Sequence, residues 1–194
     1  MKKTFLTIVA ILTVALAFSA GARAQGDAWS KLGNPGTHIL MRHAEAPGVG
    51  DPPNFRIGDC STQRNLSEQG RDQARRIGQA IRDRGIRIER VLSSQWCRAA
   101  QTASLLGLGA AVEYPALNSF FSVQDTAGKQ SREVSRKLAA LDKLGERAIL
   151  VTHQVNITAL TGVFPASGEM IVVRVAGEGV RVLGRVPPSQ ATAQ

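Results

Sequence analysis

Aromatic residues are scarce in this chain of 194 residues: one Tyr, two Trp and six Phe make up 5% of it. Proteins that hold single-stranded nucleic acid stack bases on aromatic side chains set among cations. The cations are present, 24 Lys and Arg against 15 Asp and Glu for a formal charge of +9. No basic stripe alternates with aromatics, however, so nucleic acid is set aside as a partner. Histidine is rarer still, with three residues, and cysteine has two. Neither His-x-x-x-His nor Cys-x-x-Cys spacing occurs, so a zinc site has no support and no metal is expected. Beyond the N-terminal stretch, no apolar run is long enough to cross a bilayer.

That N-terminal stretch is organised. Lys2 and Lys3 precede an apolar run from Phe5 to Ala20, and Ala22-Arg23-Ala24 offers an A-x-A cleavage site. The pattern is that of a secretory signal peptide over residues 1–24. An uncleaved anchor is the alternative, since the run is near the lower length limit for spanning; the small-residue site and the polar sequence after it favour cleavage. The expectation is an exported, periplasmic chain of residues 25–194 with no stable membrane insertion. It would fold as one domain with its core at about 36–186. Loss of Lys2, Lys3 and Arg23 lowers the formal charge from +9 to +6. A basic balance of that size suits a small phosphorylated or otherwise anionic substrate.

Three apolar runs end in polar chemistry. Thr37-His38-Ile39-Leu40-Met41 delivers Arg42 and His43, Arg90-Val91-Leu92-Ser93-Ser94 leads to Arg98, and Ala148-Ile149-Leu150-Val151-Thr152 leads to His153. Ligands of open α/β sheets sit at the carboxyl ends of the strands, so these three ends are expected to share one pocket. Between them run helical patterns. Ser67 is placed to cap a helix with Ala74, Ile77, Gly78 and Ile81 at helical spacing and Gly85 at its end. Arg98 to Leu106 is a second helix and about Ser131 to Leu144 a third. Strand and helix alternate, which predicts an α/β fold with parallel strands and crossover helices. Met170 to Val175 and Val180 to Val186 form a hairpin around Ala176-Gly177-Glu178-Gly179. Residues 46–64, rich in Gly, Pro and Asp, are a long loop of the kind that serves as a lid or binding segment. Pro187 to Gln194 is expected to fray.

Arg42-His43-Ala44-Glu45 resembles the RHG/RHA signature of the histidine phosphatase superfamily, which also contains the phosphoglycerate mutases. Asn65-Leu66-Ser67-Glu68-Gln69-Gly70-Arg71-Asp72-Gln73-Ala74 resembles its LTxxGxxQA helix start. Ser93-Ser94-Gln95-Trp96-Cys97-Arg98-Ala99-Ala100-Gln101-Thr102-Ala103 resembles its SSxxxRAxQTA block, and Val151-Thr152-His153-Gln154 the segment with its second histidine. The four motifs appear in the family's order from about Thr37 to about Gly162. The resemblance implies a single-domain three-layer α/β/α sandwich with a mostly parallel sheet, and a catalytic set of Arg42, His43, Arg98 and His153 with no metal or cofactor.

The chemistry is consistent with that set. A neutral, oriented histidine can attack phosphorus and form a phosphohistidine, which makes His43 the nucleophile. Charge then spreads over the equatorial oxygens, and the planar forks of Arg42 and Arg98, with a hydrogen bond from His153, would hold it. Glu45 and Gln154 are further substrate-binding candidates, and Asn156 a helix-cap candidate. His38 lies on the opposite strand face from His43 by parity and is read as structural.

One departure concerns the general acid. Where many relatives carry a glutamate in an LxE pattern, this chain reads Leu117-Asn118-Ser119. Asp125 and Glu113 are the nearby carboxylates able to supply a proton; a substrate with a good leaving group would need no strong acid. Cys60 and Cys97 are an even pair that an oxidising compartment would bridge, tying the long loop to the segment of Arg98; two unpaired thiols are the alternative. The functional expectation is an exported, metal-independent phosphatase acting on a phosphomonoester through phosphohistidine. A non-catalytic periplasmic phosphate-binding protein is the alternative from another class. A mutase-type phosphotransferase is the enzymatic runner-up, disfavoured by export.

Overall fold

The structure, a computed structural model, describes residues 28–122 and 124–191. The expected signal peptide lies outside the described residues. After a short helix over 28–32 (α1), the chain forms β1 (His38–Arg42), α2 (Glu68–Asp83), β2 (Arg90–Ser93), α3 (Cys97–Leu105), β3 (Ala111–Glu113), α4 (Ala127–Lys143), β4 (Ala148–Thr152), α5 (Gln154–Thr161), β5 (Met170–Ala176), β6 (Gly179–Val186) and α6 (Pro188–Ala191). The six strands form one sheet in the order β3-β2-β4-β1-β5-β6. The first four of these are mutually parallel, β5 runs antiparallel to β1, and β6 runs antiparallel to β5. The mixed α/β fold expected from the sequence is therefore present.

The pleat sorts the core into two layers, because successive side chains on a strand face opposite sides. Ile39, Met41, Val91, Ile149, Val151, Met170 and Val172 pack beneath α1, α2, α3 and α6. Leu40, Leu92, Leu150, Ile171 and Val173 pack beneath α4 and α5 with Leu117. All five residues of β4 are buried, as fits a central strand covered on both faces.

Helix α2 starts where its cap predicts: Ser67 Oγ accepts the Gly70 N–H at 2.9 Å. Its glycines permit close approach. A Cβ on Gly78 would lie 1.8 Å from the Leu106 carbonyl oxygen, so α2 can seat against the end of α3 only without a side chain there.

Several expectations need correction. Helix α4 begins four residues before Ser131, because its polar first turn carries no apolar spacing to mark it. The short strand β3 is exposed along its whole length at the sheet edge and has no apolar pattern. The tail does not fray at once: α6 turns Ala191 into the core, where it is 2% exposed. Among the described residues no helix is long and apolar enough to cross a membrane.

Candidate functional site

Strands β2, β4 and β1 are neighbours and parallel, so their carboxyl ends meet. His43 follows β1, and its backbone N–H donates to Thr152 O at 2.9 Å, extending the ladder one step past the strand. His153 follows β4 as the N-cap residue of α5. The two rings stand edge to face with centroids 5.5 Å apart. Arg98 sits in the first turn of α3, directly after β2, and is 3% exposed. Arg42, His43, Arg98 and His153 thus line one cavity of about 340 Å³, together with Gln154.

Hydrogen bonds fix the state of each histidine. His43 Nδ1 lies 2.7 Å from the Ala44 carbonyl oxygen, an acceptor only, so Nδ1 carries the proton. Nε2 therefore keeps its lone pair, and it accepts the Arg98 Nε–H at 3.3 Å. Burial pushes the imidazole pKa down to about 3, and the charges of Arg98, Arg42 and Arg64 act in the same direction against the Ala44 hydrogen bond. The ring is neutral across the neutral pH range, and Nε2 is the nitrogen able to attack once the Arg98 Nε–H releases its lone pair.

His153 is set by a short relay. Asn118 Oδ1 accepts the Gln95 backbone N–H at 2.9 Å, which fixes the amide's orientation. The Ser94 hydroxyl donates to that same oxygen at 3.2 Å. Ser94 Oγ then accepts from His153 Nε2 at 2.8 Å, which puts the ring proton on Nε2 and leaves Nδ1 an acceptor, so the hydrogen bond to phosphate expected of His153 is not offered by this tautomer. Burial, then the neighbouring His43 and Arg98, push its pKa well below the ordinary value.

Two pocket residues escaped the sequence reading. Arg64, from the end of the long loop, donates through Nε to Gly50 O at 2.8 Å and through Nη1 to Ala46 O. It adds a third guanidinium to the lining. Asp51 accepts from Arg98 at 2.6 Å and 3.1 Å, one oxygen per nitrogen, and from Trp96 Nε1 at 3.0 Å. Burial alone would raise its pKa, but the hydrogen bonds from Arg98 and Trp96 outweigh it and hold the carboxyl below its usual value. Arg64 immediately precedes the helix-start motif and Asp51 lies in the Gly-Pro loop; that position was the available signal for both. The Arg42 side chain donates to Pro165 O at 2.9 Å, while its buried Nε has no partner. An unmet buried donor is costly.

Other candidates are placed elsewhere. Glu45 does not line this cavity: its carboxylate accepts from the Ser67 hydroxyl and its N–H donates to Gln73 Oε1 at 3.0 Å, so it braces the start of α2. Glu113 accepts from Gln95 Nε2 on the exposed surface, and Asp125 lies exposed in a 3-10 turn over Gln124–Thr126; neither is among the lining residues. Asn156 is no cap. It lies inside α5 and donates to Asn118 O at 2.9 Å. His38 is structural: its Nδ1 accepts the Ala148 N–H at 3.1 Å and its Nε2 meets Asp142 Oδ1 at 2.9 Å on the α4 side of the sheet. Cys60 and Cys97 are bridged, with Cα atoms 5.7 Å apart, and the staple joins the long loop to α3.

The mouth of the cavity differs from its floor. Val49, Phe121 and Phe164 line it while remaining 88%, 51% and 67% exposed. Cations occupy the bottom and apolar side chains the rim.

Fold and pocket together define an α/β domain with paired histidines and three arginines at the carboxyl ends of its central strands. The chain belongs to the histidine phosphatase superfamily: the family model for branch 1 matches residues 38–140. Among curated proteins it is 37% identical over 68 residues to the mitochondrial serine/threonine-protein phosphatase Pgam5 of Drosophila willistoni, a match covering 35% of this chain. The matched segment spans about a fifth of that relative, 21%. Among solved structures, the protein histidine phosphatase SixA complexed with tungstate superposes with a TM-score of 0.58 at 21% identity, over 78% of this chain and 97% of that one. A phosphoserine phosphatase mutant from Entamoeba histolytica in complex with phosphoserine gives 0.56 at 13% identity, over 79% and 98%. At such identities the superpositions establish a shared fold.

Proposed function

We propose that this chain is an exported, metal-independent phosphatase that hydrolyses a phosphomonoester through a phosphohistidine on His43. The observation that carries the reading is the state of His43: a neutral ring with its proton fixed on Nδ1 and its Nε2 lone pair directed at a guanidinium in a cavity of arginines. A phosphoryl group bound there would have its equatorial oxygens held by the guanidinium groups of Arg42 and Arg64. His43 Nε2 attacks phosphorus in line, the bond to the leaving oxygen breaks, and water then cleaves the N–P bond to release phosphate and restore the ring. Arginine supplies the positive charge throughout, so the route calls for no metal.

The pocket carboxylate Asp51 is held ionised by Arg98 and Trp96 and is no proton donor in that state. This favours substrates whose leaving group departs without a strong acid, such as phosphohistidine or an acyl phosphate. The names of the structural relatives, a protein histidine phosphatase and a phosphoserine phosphatase, lie within the same chemistry. Export rests on the N-terminal sequence pattern and agrees with a bridged cysteine pair.

The test is phosphate release from p-nitrophenyl phosphate, a phosphosugar panel and a phosphohistidine peptide, with chelator present, for the wild-type chain and His43→Ala. Turnover that survives chelation and disappears in the variant is expected. Equal turnover by His43→Ala would overturn the reading.

A further inference from the structure

Arg98 has four of its five N–H donors committed. Nε–H donates to His43 Nε2, Nη1 to Asp51 Oδ1 and to Arg64 O at 3.4 Å, and Nη2 to Asp51 Oδ2. The fork that would grip two phosphoryl oxygens is already gripping two carboxylate oxygens of the same chain. The electrostatic reason is direct. Arg42, Arg64 and Arg98 are crowded into one cavity where burial and mutual repulsion lower the pKa of Arg42 and Arg64, and Asp51 is the single carboxylate among the lining residues.

The segment that carries Asp51 is lightly held. Among the described residues, the N–H groups of residues 48–51 donate to no other backbone group. Its ties are the Arg64 side chain on Ala46 O and Gly50 O and the carboxylate of Asp51 itself. Gly48 and Gly50 have φ of +91° and +68°, and nothing lies within 4 Å of where a Gly50 Cβ would be. Val49 between them is 88% exposed. By contrast, the far part of the loop is fastened by the Cys60–Cys97 bridge and by Gln63 Oε1, which accepts the Cys97 N–H at 2.9 Å.

We propose that Asp51 is a resident anion that occupies the fork of Arg98 in the ligand-free protein and is displaced by the incoming phosphoryl group, residues 48–51 swinging outward as it leaves. This rests on the reading that the pocket takes a phosphoryl group. The exchange selects for charge: a dianionic phosphoryl group out-competes the carboxylate, whereas a carboxylate ligand or a phosphodiester carries no more charge than the group it must displace. Substrate entry and opening of the loop are one event.

Trp96 reports on the exchange, because its indole N–H donates to Asp51 and its ring stacks on Phe55 at 4.8 Å between centroids. The other tryptophan, Trp29, lies under Arg84 and is replaced in the test background by Trp29→Phe. Tungstate is titrated into this protein and into its Asp51→Asn and Asp51→Ala forms, followed by Trp96 fluorescence and calorimetry, with thermal unfolding as the check on folding. The expected results are a Trp96 emission shift on saturation of the parent, and binding at least about tenfold tighter in both Asp51 variants, since one charge-assisted contact no longer competes. Equal or weaker tungstate binding by Asp51→Asn overturns the proposal and makes Asp51 a residue that merely poses Arg98. An unchanged Trp96 spectrum in the tungstate-saturated parent overturns it without any Asp51 variant. Tungstate binding with the expected ranking but no turnover of any ester would sink the hydrolytic reading and leave this one standing.

Discussion

The buried neutral histidines make this protein's stability fall as the pH drops below the ordinary histidine value. In the unfolded chain His43 takes up a proton near its ordinary pKa of 6.5, whereas in the folded protein burial holds it neutral until about pH 3. Between those values the unfolded state binds more protons, so stability is fully present above about pH 6.5 and falls as the pH drops towards 3. For His43 alone the loss between pH 8 and pH 5 is about 2 kcal/mol. In a domain of this size that lowers the melting temperature by roughly 4–8 °C. His38 and His153, lowered chiefly by burial as well, add to the loss in the same direction. Asp51, whose pKa is depressed, contributes its dependence only below about pH 4, so it does not confuse the window. The assay is thermal and urea unfolding of the wild type and His43→Asn at pH 8, 7, 6 and 5, with ¹⁵N imidazole spectra of the folded protein. The variant should lose about 2 kcal/mol less than the wild type across the series, and His43 should remain the neutral Nδ1–H tautomer at pH 5. A His43 that titrates between pH 6 and 7 in the folded state, with a variant as pH-sensitive as the wild type, would refute the reasoning.

Replacing both Cys60 and Cys97 by Ser opens a loop with 37 residues of sequence separation and should cost about 4 kcal/mol in urea unfolding; a loss below 1 kcal/mol would show that the denatured chain is not the state the bridge restrains. Gly78→Ala drives a Cβ against the Leu106 carbonyl and should destabilise by about 1–3 kcal/mol or more, whereas Gly128→Ala in the exposed first turn of α4 should be neutral or stabilise by up to about 1 kcal/mol; equal effects would contradict the packing account.

What was legible in the sequence follows from local patterning. Strands β1, β2 and β4 are apolar because both faces are covered, and each ends in a cation, a hydroxyl or an imidazole because the sheet stops at the cavity. Ser67 announces α2 because a cap is a local hydrogen bond, three residues long. Those features carried Arg42, His43, Arg98 and His153 to one place. By contrast, α5 was anticipated only through the cap candidate Asn156, because it is eight residues long with little apolar periodicity, and β3 was missed because a three-residue edge strand buries nothing that would mark it. The α4 start was invisible for the same reason: its first turn faces water.

The residues that the sequence misplaced fail on distance rather than pattern. Glu45 was drawn to the pocket by its nearness to His43 in the chain, yet three residues past the strand the backbone has turned, and its carboxylate meets Ser67 instead. Glu113 and Asp125 were drawn to it by a family pattern that this chain lacks, and the structure leaves both on the surface. Asp51 reaches Arg98 across 47 positions of sequence, through a loop with no period. No local rule encodes that pairing. It arises because a cavity built from three arginines and two buried histidines needs a counter-anion while no ligand is bound, and the nearest unstructured carboxylate supplies it. The same requirement explains why the loop is stapled at Cys60 but left with two left-handed glycines around Val49. Its far end must hold Arg64 and Gln63 against α3, while its near end must be able to release Arg98 when a stronger anion arrives.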